Sequence, residues 1–230
     1  MSLEGLKGIN RRIMPWFPEP RFTRPRNLKL FEWMNQNGPG NRVLNLGSGI
    51  GRFDNYLSKK VKLINLDISS SKKNLQVIAD AHFLPFKSHC LDIVYSIAVL
   101  EHVRKPWIVA DEIFRVLRPG GHVVMELPFL NVIHDEHDYF RFTDQGIRSL
   151  FDSNRFEVVL EQVGSGGGSF LSVFLLEYFQ QFIPSKLLKS LWRLTMRYFT
   201  CLFKYFDRAI DSSRILGTTA NSFSFIGKKR

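Results

Sequence analysis

The chain is predicted to fold as an α/β domain, a doubly wound, mostly parallel sheet with helices on both faces and a helical insertion before the last strand. Three observations predict it. Short apolar runs rich in β-branched residues alternate with helix-period stretches between residues 42 and 163, the pattern of crossover units around a covered parallel sheet. A glycine-rich turn, Gly47-Ser48-Gly49-Ile50-Gly51, ends the first of these runs. Aspartates close the next two, placing ligand-type groups at successive strand ends, where open α/β sheets bind their ligands.

The elements follow in order. Residues 1–40 read as a basic arm in which Arg11, Arg12, Arg21, Arg24 and Arg26 alternate with Pro15, Pro18, Pro20 and Pro25 and with Trp16, Phe17 and Phe22. Prolines this dense forbid a continuous helix, so only residues 27–35 are expected to be helical. The arm suits either a flap or anion-binding segment, or one packed against the domain edge. Residues 42–46, 61–66, 77–79, 92–97, 122–127 and 156–162 read as strands, and a helix is expected after the glycine turn. Residues 107–117 place Ile108, Ile113, Phe114, Val116 and Leu117 at helical spacing, and Pro119-Gly120-Gly121 stops that helix. The organisation is then an arm (1–40), a ligand-binding core (41–168), a helical insertion (169–218), and a final strand with a basic tail (219–230). Residues 164–168, Gly-Ser-Gly-Gly-Gly, read as a flexible breaker before helical residues 170–210, and residues 222–226 alternate as a strand.

Composition narrows the class. A 44% hydrophobic and 23% charged balance excludes a largely disordered chain. Cys90 and Cys201 can build no disulfide framework and no CxxC site, so a reducing cytoplasm is the default location. Residues 1–12 hold no apolar leader core, and Glu177 ends the longest near-apolar run, so neither a secretory leader nor a membrane span is expected. A net charge of +11 favours polyanionic surroundings: nucleic acid, an anionic membrane face or a phosphorylated substrate.

The glycine turn lacks the third glycine of GxGxxG, because Arg52 stands there, and no Gly-Lys-Ser/Thr follows to make a phosphate loop. Glycines nevertheless suit a sharp turn whose backbone N–H groups approach a ligand. Asp67 lies at the offset where such folds place a carboxylate on ribose hydroxyls, and Asp80 can accept from an exocyclic amino group such as that of adenine. Either aspartate alone would also suit a solvated loop or a helix cap.

The motifs VLNLGSGIGRF (43–53), Asp67, IADAHFLPF (78–86), LDIVYSIAVLEHV (91–103) and IFRVLRPGGHVVMELP (113–128) resemble, in order, those of the class I S-adenosylmethionine-dependent methyltransferases, particularly the type 11 group. The resemblance implies a Rossmann-like fold with S-adenosylmethionine as cofactor. It implies that Gly47, Ser48, Gly49 and Gly51 cradle the methionine and ribose part, and that Asp67, with Ile68 beside it, holds the ribose hydroxyls. Asp80 with Ala81 would read adenine, and Ser96 with Ile97 would line the floor. Asn45 departs from the family's usual Asp or Glu; it keeps an acceptor but loses the charge attraction for the cofactor's amino group.

Two clusters compete for the acceptor side. Some quinone and RNA methyltransferases bind a divalent metal through a Glu-x-x-Glu-His version of the segment holding Glu101 and His102. Here the first position is Ala98, so no metal is expected, and Glu101 and His102 read as site-wall or helix-cap residues. The second cluster follows residues 122–127 and resembles the proline-to-DYFRFT segment of type 11 enzymes of surface-polysaccharide and lipid-linked metabolism. His134 or His137, paired with Asp135 or Asp138, can take a proton from a hydroxyl at neutral pH. In the other reading Thr143 caps a helix from Asp144, and Tyr139 and Arg141 brace the loop.

In the insertion, Lys186, Lys189, Arg193, Arg197, Lys204 and Arg208 recur among Leu187, Leu188, Leu191, Trp192, Met196, Phe199, Leu202 and Phe203. That pattern suits peripheral contact with an anionic membrane, or equally a lid or dimer helix. The expected function is methyl transfer to a hydroxyl or similar nucleophile of a small, glycan-linked or lipid-linked acceptor. Methylation of RNA or another nucleic acid, motivated by charge, is the alternative, and a non-catalytic cofactor-fold binding protein is a third.

Overall fold

A computed structural model describes residues 24–38, 40–51, 53–69, 75–209 and 215–230; most of the basic arm, residue 52 of the glycine turn and the side chains of Arg197, Lys204 and Arg208 lie outside the described set. The strands are β1 (Arg42–Leu46), β2 (Lys62–Asp67), β3 (Val77–Ile78), β4 (Leu91–Ile97), β5 (Leu117–Pro128), β6 (Phe156–Ser165) and β7 (Ser222–Lys229). They form one sheet in the order β3-β2-β1-β4-β5-β7-β6. Every pair is parallel except those of β7, which runs antiparallel between β5 and β6. The carboxyl ends of β1, β2, β4, β5 and β6 therefore share one edge, with the sheet order reversing at β1 and β4. Such an edge is where this architecture binds ligands.

Alternation along the central strands sends side chains to two cores. Leu44, Leu46, Val94, Val123 and Met125 pack with helices α2 (Pro106–Val116) and α3 (Asp144–Leu150). Val43, Ile93, Tyr95, Val124 and Ile226 pack on the opposite face with Leu30, Phe31 and Met34 of helix α1 (Arg24–Asn37). Burial on both faces is why these strands read as apolar runs.

Three expectations need correction. The helix predicted after the glycine turn is one 3-10 turn, Asp54–Tyr56, and the flanking Phe53 and Leu57 still pack into the core beside it. The sheet face beside it is covered instead by α1, so the helix assigned to the N-terminal arm belongs to the core. The glycines of 164–168 are also no flexible breaker. Gly164 lies in β6, and Gly167 and Gly168 begin helix α4 (Gly167–Gln180). A Cβ at Gly168 would overlap the Phe203 carbonyl oxygen of helix α5 (Lys186–Ala209). The glycines are there for close helix approach. Asp207 of α5 then accepts from the Gly168 N–H at 2.8 Å and the Ser169 N–H at 3.0 Å, capping α4. The insertion is thus an α4–α5 hairpin followed by α6 (Ile215–Thr218), standing at the carboxyl edge of the sheet between β6 and β7.

Candidate functional site: a donor cavity and a histidine loop

The glycine turn is built by backbone geometry that only glycine adopts without strain. Gly47, Gly49 and Gly51 have φ of 72, 56 and 69°. The N–H groups of Gly47 and Ser48 both donate to the Leu66 carbonyl at 2.9 Å, tying the turn to the end of β2. Around it lies a cavity of about 340 Å³ lined by Asn45, Gly47, Ser48, Gly49, Ile50, Phe53 and Ile97. That volume is within the range of small-molecule sites. A Cβ at Gly49 would meet nothing within 4 Å, so this backbone borders open space.

The expected cofactor residues fall into two groups. Asn45, Gly47, Ser48, Gly49 and Ile97 line the cavity. Asp67 closes β2, and its carboxylate accepts from the N–H of Gly49 at 2.8 Å and of Ser69 at 3.0 Å. Ile68 beside it is an exposed apolar side chain. Asp80 lies after β3; burial opposes its charge, yet bonds from the backbone and ring of His82 keep its pKa below the ordinary carboxylate value. Ala81 follows it, half-buried. Gly51 turns the chain toward Asp54 rather than lining the cavity. Ser96 does not line the floor either: it is fully buried, and its hydroxyl donates to the Leu46 carbonyl at 3.0 Å, joining β4 to β1.

Sequence reasoning missed how Asn45 is held. Its side-chain amide donates to Asn65 Oδ1 at 2.9 Å, and Asn65 in turn donates to Asp54 Oδ2 at 2.8 Å. Asn45 also donates to Asp54 Oδ1 at 3.4 Å, so a carboxylate stands directly behind the cavity wall. Asp54 gave no signal, because its partners lie on two different strands.

Beyond Ile97 the chain takes an unusual step. Ala98 has φ of 55°, a left-handed conformation that costs a residue with a Cβ roughly 1–2 kcal/mol. Its N–H donates to the Glu126 carbonyl at 2.9 Å. The kink packs Val99 against Gly47, where a Cβ would overlap the valine methyls, and starts the 3-10 turn Leu100–His102. Glu101 is fully buried and its carboxylate has no hydrogen-bond partner. Burial is the main cause that raises its pKa to about 8.

The loop after β5 folds back onto this turn. The N–H groups of Tyr139 and Phe140 both donate to the Glu101 carbonyl. Arg141 fixes the loop from inside, donating to the carbonyls of Asn131 and Val132 and, in fork geometry, to Asp138. The Arg141 bond holds Asp138 down at about 2, so this carboxylate is charged and clamped. Held by Arg141, it braces the loop as a charged group. Asp138 also lies 3.2 Å from His134 Nδ1, so the pairing left open by the sequence is His134 with Asp138. His137 instead stacks its ring on Tyr139, with an interplanar angle of 8°. Thr143 accepts from the Gly146 N–H at 3.0 Å and caps α3 as expected. Glu101, His102 and His134 offer ligand atoms within 4.8 Å of one another, a convergence not legible from the spacing of either segment.

A seven-stranded, mostly parallel sheet with a glycine cradle and strand-end carboxylates at its carboxyl edge is the Rossmann-like architecture of class I S-adenosylmethionine-dependent methyltransferases. Residues 44–125 match the family model described as a methyltransferase domain. An uncharacterised methyltransferase of Mycobacterium leprae is 32% identical over 108 residues, 40% of each chain. A sterol 24-C-methyltransferase of Schizosaccharomyces pombe is 33% identical over 108 residues, 36% of this chain and 26% of that one. The match thus spans well under half the length of these curated relatives. A solved complex between the Haloferax volcanii Trm112 methyltransferase activator and a protein described as a methyltransferase contains a chain with a TM-score of 0.57, 16% identity, and coverage of 97% of this chain and 94% of that one. At this identity the likeness concerns the fold.

Proposed function

We propose that this protein uses S-adenosylmethionine to methylate a hydroxyl or similar nucleophile of a lipid-linked acceptor. The observation that carries the donor half is the cavity walled by Asn45, Gly47, Ser48 and Gly49, with Asp67 and Asp80 at the neighbouring strand ends. Asp67 would take the ribose hydroxyls in place of the Gly49 N–H, Ile68 would cover one face of the base, and Asp80 would accept from its amino group. The bound cofactor supplies an activated methyl group, so the chain's own task is alignment and proton handling. His134, oriented through Nδ1 by Asp138, is the group placed to take the acceptor's proton.

Support for a lipid-linked acceptor comes from the hairpin. Leu171, Phe174, Tyr178 and Phe182 along and just beyond α4, and Leu187, Leu188, Leu191 and Phe199 on α5, are exposed apolar side chains, with Lys186 and Arg193 exposed among them. The backbone around the hairpin's root is joined to the histidine loop: the Phe129 and Leu130 N–H groups donate to the carbonyls of Asn221 and Ala220. An apolar surface with basic residues suits an anionic lipid interface and lies at the acceptor edge of the sheet.

The test is calorimetry with S-adenosylhomocysteine. Wild type should bind, and Asp67→Ala should bind more weakly by about 1.5–3 kcal/mol, the scale of hydrogen bonds to a charged group. Absence of wild-type binding would overturn the donor half. Labelled S-adenosylmethionine with membrane and soluble extracts then tests the acceptor, with label expected in the lipid fraction; label in RNA or protein instead would overturn the lipid assignment.

A further inference from the structure

Glu101, His102 and His134 belong to separate segments, the turn after β4 and the loop after β5, yet their ligand atoms lie within 4.8 Å of one another. Two independent features point to a ligand among them. Glu101 is fully buried and neither carboxylate oxygen has a hydrogen-bond partner, an arrangement that is costly unless something positive completes it. Both imidazoles are also held by the same nitrogen. His102 Nδ1 faces the His137 carbonyl, and His134 Nδ1 lies 3.2 Å from the Val132 carbonyl and 3.2 Å from Asp138. With Nδ1 carrying the proton, as those acceptors require, each Nε2 presents a lone pair; the tautomer is inferred from the partners. Carboxylate- or carbonyl-anchored histidines are the usual support for metal-ligating imidazoles, and Asp138 is itself fixed by Arg141.

We propose that Glu101, His102 and His134 bind a divalent transition metal ion, with zinc as the best-suited ion. Two imidazoles and a carboxylate with a position left open match the ligand set of catalytic zinc sites. Magnesium is a poor match, because it prefers an all-oxygen octahedral shell. Tetrahedral coordination at about 2.1 Å draws ligand atoms to about 3.4 Å of one another. The Glu101 Oε1 to His102 Nε2 separation is already 3.7 Å, and His134 offers a ligand atom within 4.8 Å of those of the other two residues. The departure at Ala98, read from one segment, removes a carboxylate; the loop after β5 supplies His134 in its place. With the ion bound, His134 Nε2 is a ligand and no longer a base, and an acceptor oxygen at the open position would instead lose its proton to solvent more readily. This last role rests on the methyltransferase reading, whereas ion binding does not.

The test uses the full chain, stripped with a chelator and titrated with zinc chloride by calorimetry, with S-adenosylhomocysteine binding measured in parallel. One zinc per chain is expected, with a raised melting midpoint. Glu101→Gln, which keeps the buried shape, and His102→Ala or His134→Ala should each weaken zinc binding at least tenfold, while His137→Ala should not. Asp138→Asn should weaken it 10- to 100-fold by loosening His134. Cobalt(II) should give visible absorption in wild type that the His102→Ala/His134→Ala double variant lacks. Absence of stoichiometric zinc binding, or wild-type affinity in that double variant, overturns the metal site. Zinc binding with no S-adenosylhomocysteine binding would support the metal site and overturn the methyltransferase reading.

Discussion

Glu126 shows what a single side chain can reveal. It is buried on β5, its Oε1 accepts from the Ser222 hydroxyl at 2.8 Å, and its Oε2 has no partner. Burial lifts its pKa to about 7 against the smaller lowering effect of that hydroxyl. The folded protein therefore holds this proton more tightly than the unfolded chain, so stability falls as pH rises from the ordinary carboxylate range to about 7. Melting curves across that window should show the wild-type midpoint drifting down and a Glu126→Gln variant drifting less; equal slopes would refute the assignment. Arg141 argues in the opposite direction, since its fork satisfies a carboxylate whose side chain is only 1% exposed. Arg141→Ala should cost about 1.5–3 kcal/mol, and limited proteolysis should then cut within residues 129–142. The sequence displayed Asp67, Asp80 and the glycines because each sits at a strand end in a short local pattern. It could not display Asp54, Glu126 or the left-handed Ala98, whose meaning lies in partners on other strands.

Among the elements, the α4–α5 hairpin departs furthest from its sequence reading. A glycine cluster reads equally well as slack or as close contact, and only the facing helix decides. Here Ser172 Oγ donates to Thr200 Oγ1 at 2.8 Å and Trp192 Nε1 donates to the Leu176 carbonyl at 3.1 Å, so the helices touch along much of their length. Gly168→Ala must push α5 away, at about 1–3 kcal/mol, the range for overpacking. Hydrogen exchange should localise that loss to residues 167–209, whereas wild-type protection there would mean that the approach is looser. The strands were legible because apolar runs bounded by Gly, Pro and Asp have few other uses. The final strand was legible too, but not its place between β5 and β6, which depends on a long-range return.

Taken whole, the molecule carries +11 charges, exposed apolar residues on one hairpin, and among its described residues no helix long and apolar enough to cross a membrane. Charge alone would be screened within a Debye length, and apolar contact alone would not discriminate among lipids. Sedimentation should therefore show binding to anionic vesicles, little to neutral ones, and weakening as salt rises. Binding unchanged by Leu187→Ser together with Phe199→Ser would assign it elsewhere, and a concentration-dependent dimer abolished by the same pair would make the hairpin a subunit contact.

Helix α1 carries one more consequence. Phe31 stacks on Phe53 and on Tyr56, with ring centroids 5.5 Å away in each case, and Phe53 is part of the cavity wall. Docking of α1 and occupancy of the cavity are thus thermodynamically linked, each stabilising the other by the same free energy. Ligand should slow tryptic cleavage before Leu30, and a chain beginning at residue 41 should lose affinity for S-adenosylhomocysteine even though it keeps every glycine and aspartate of the cradle. The segment that carries the family likeness, residues 44–125, is then shorter than the unit that can hold the ligand.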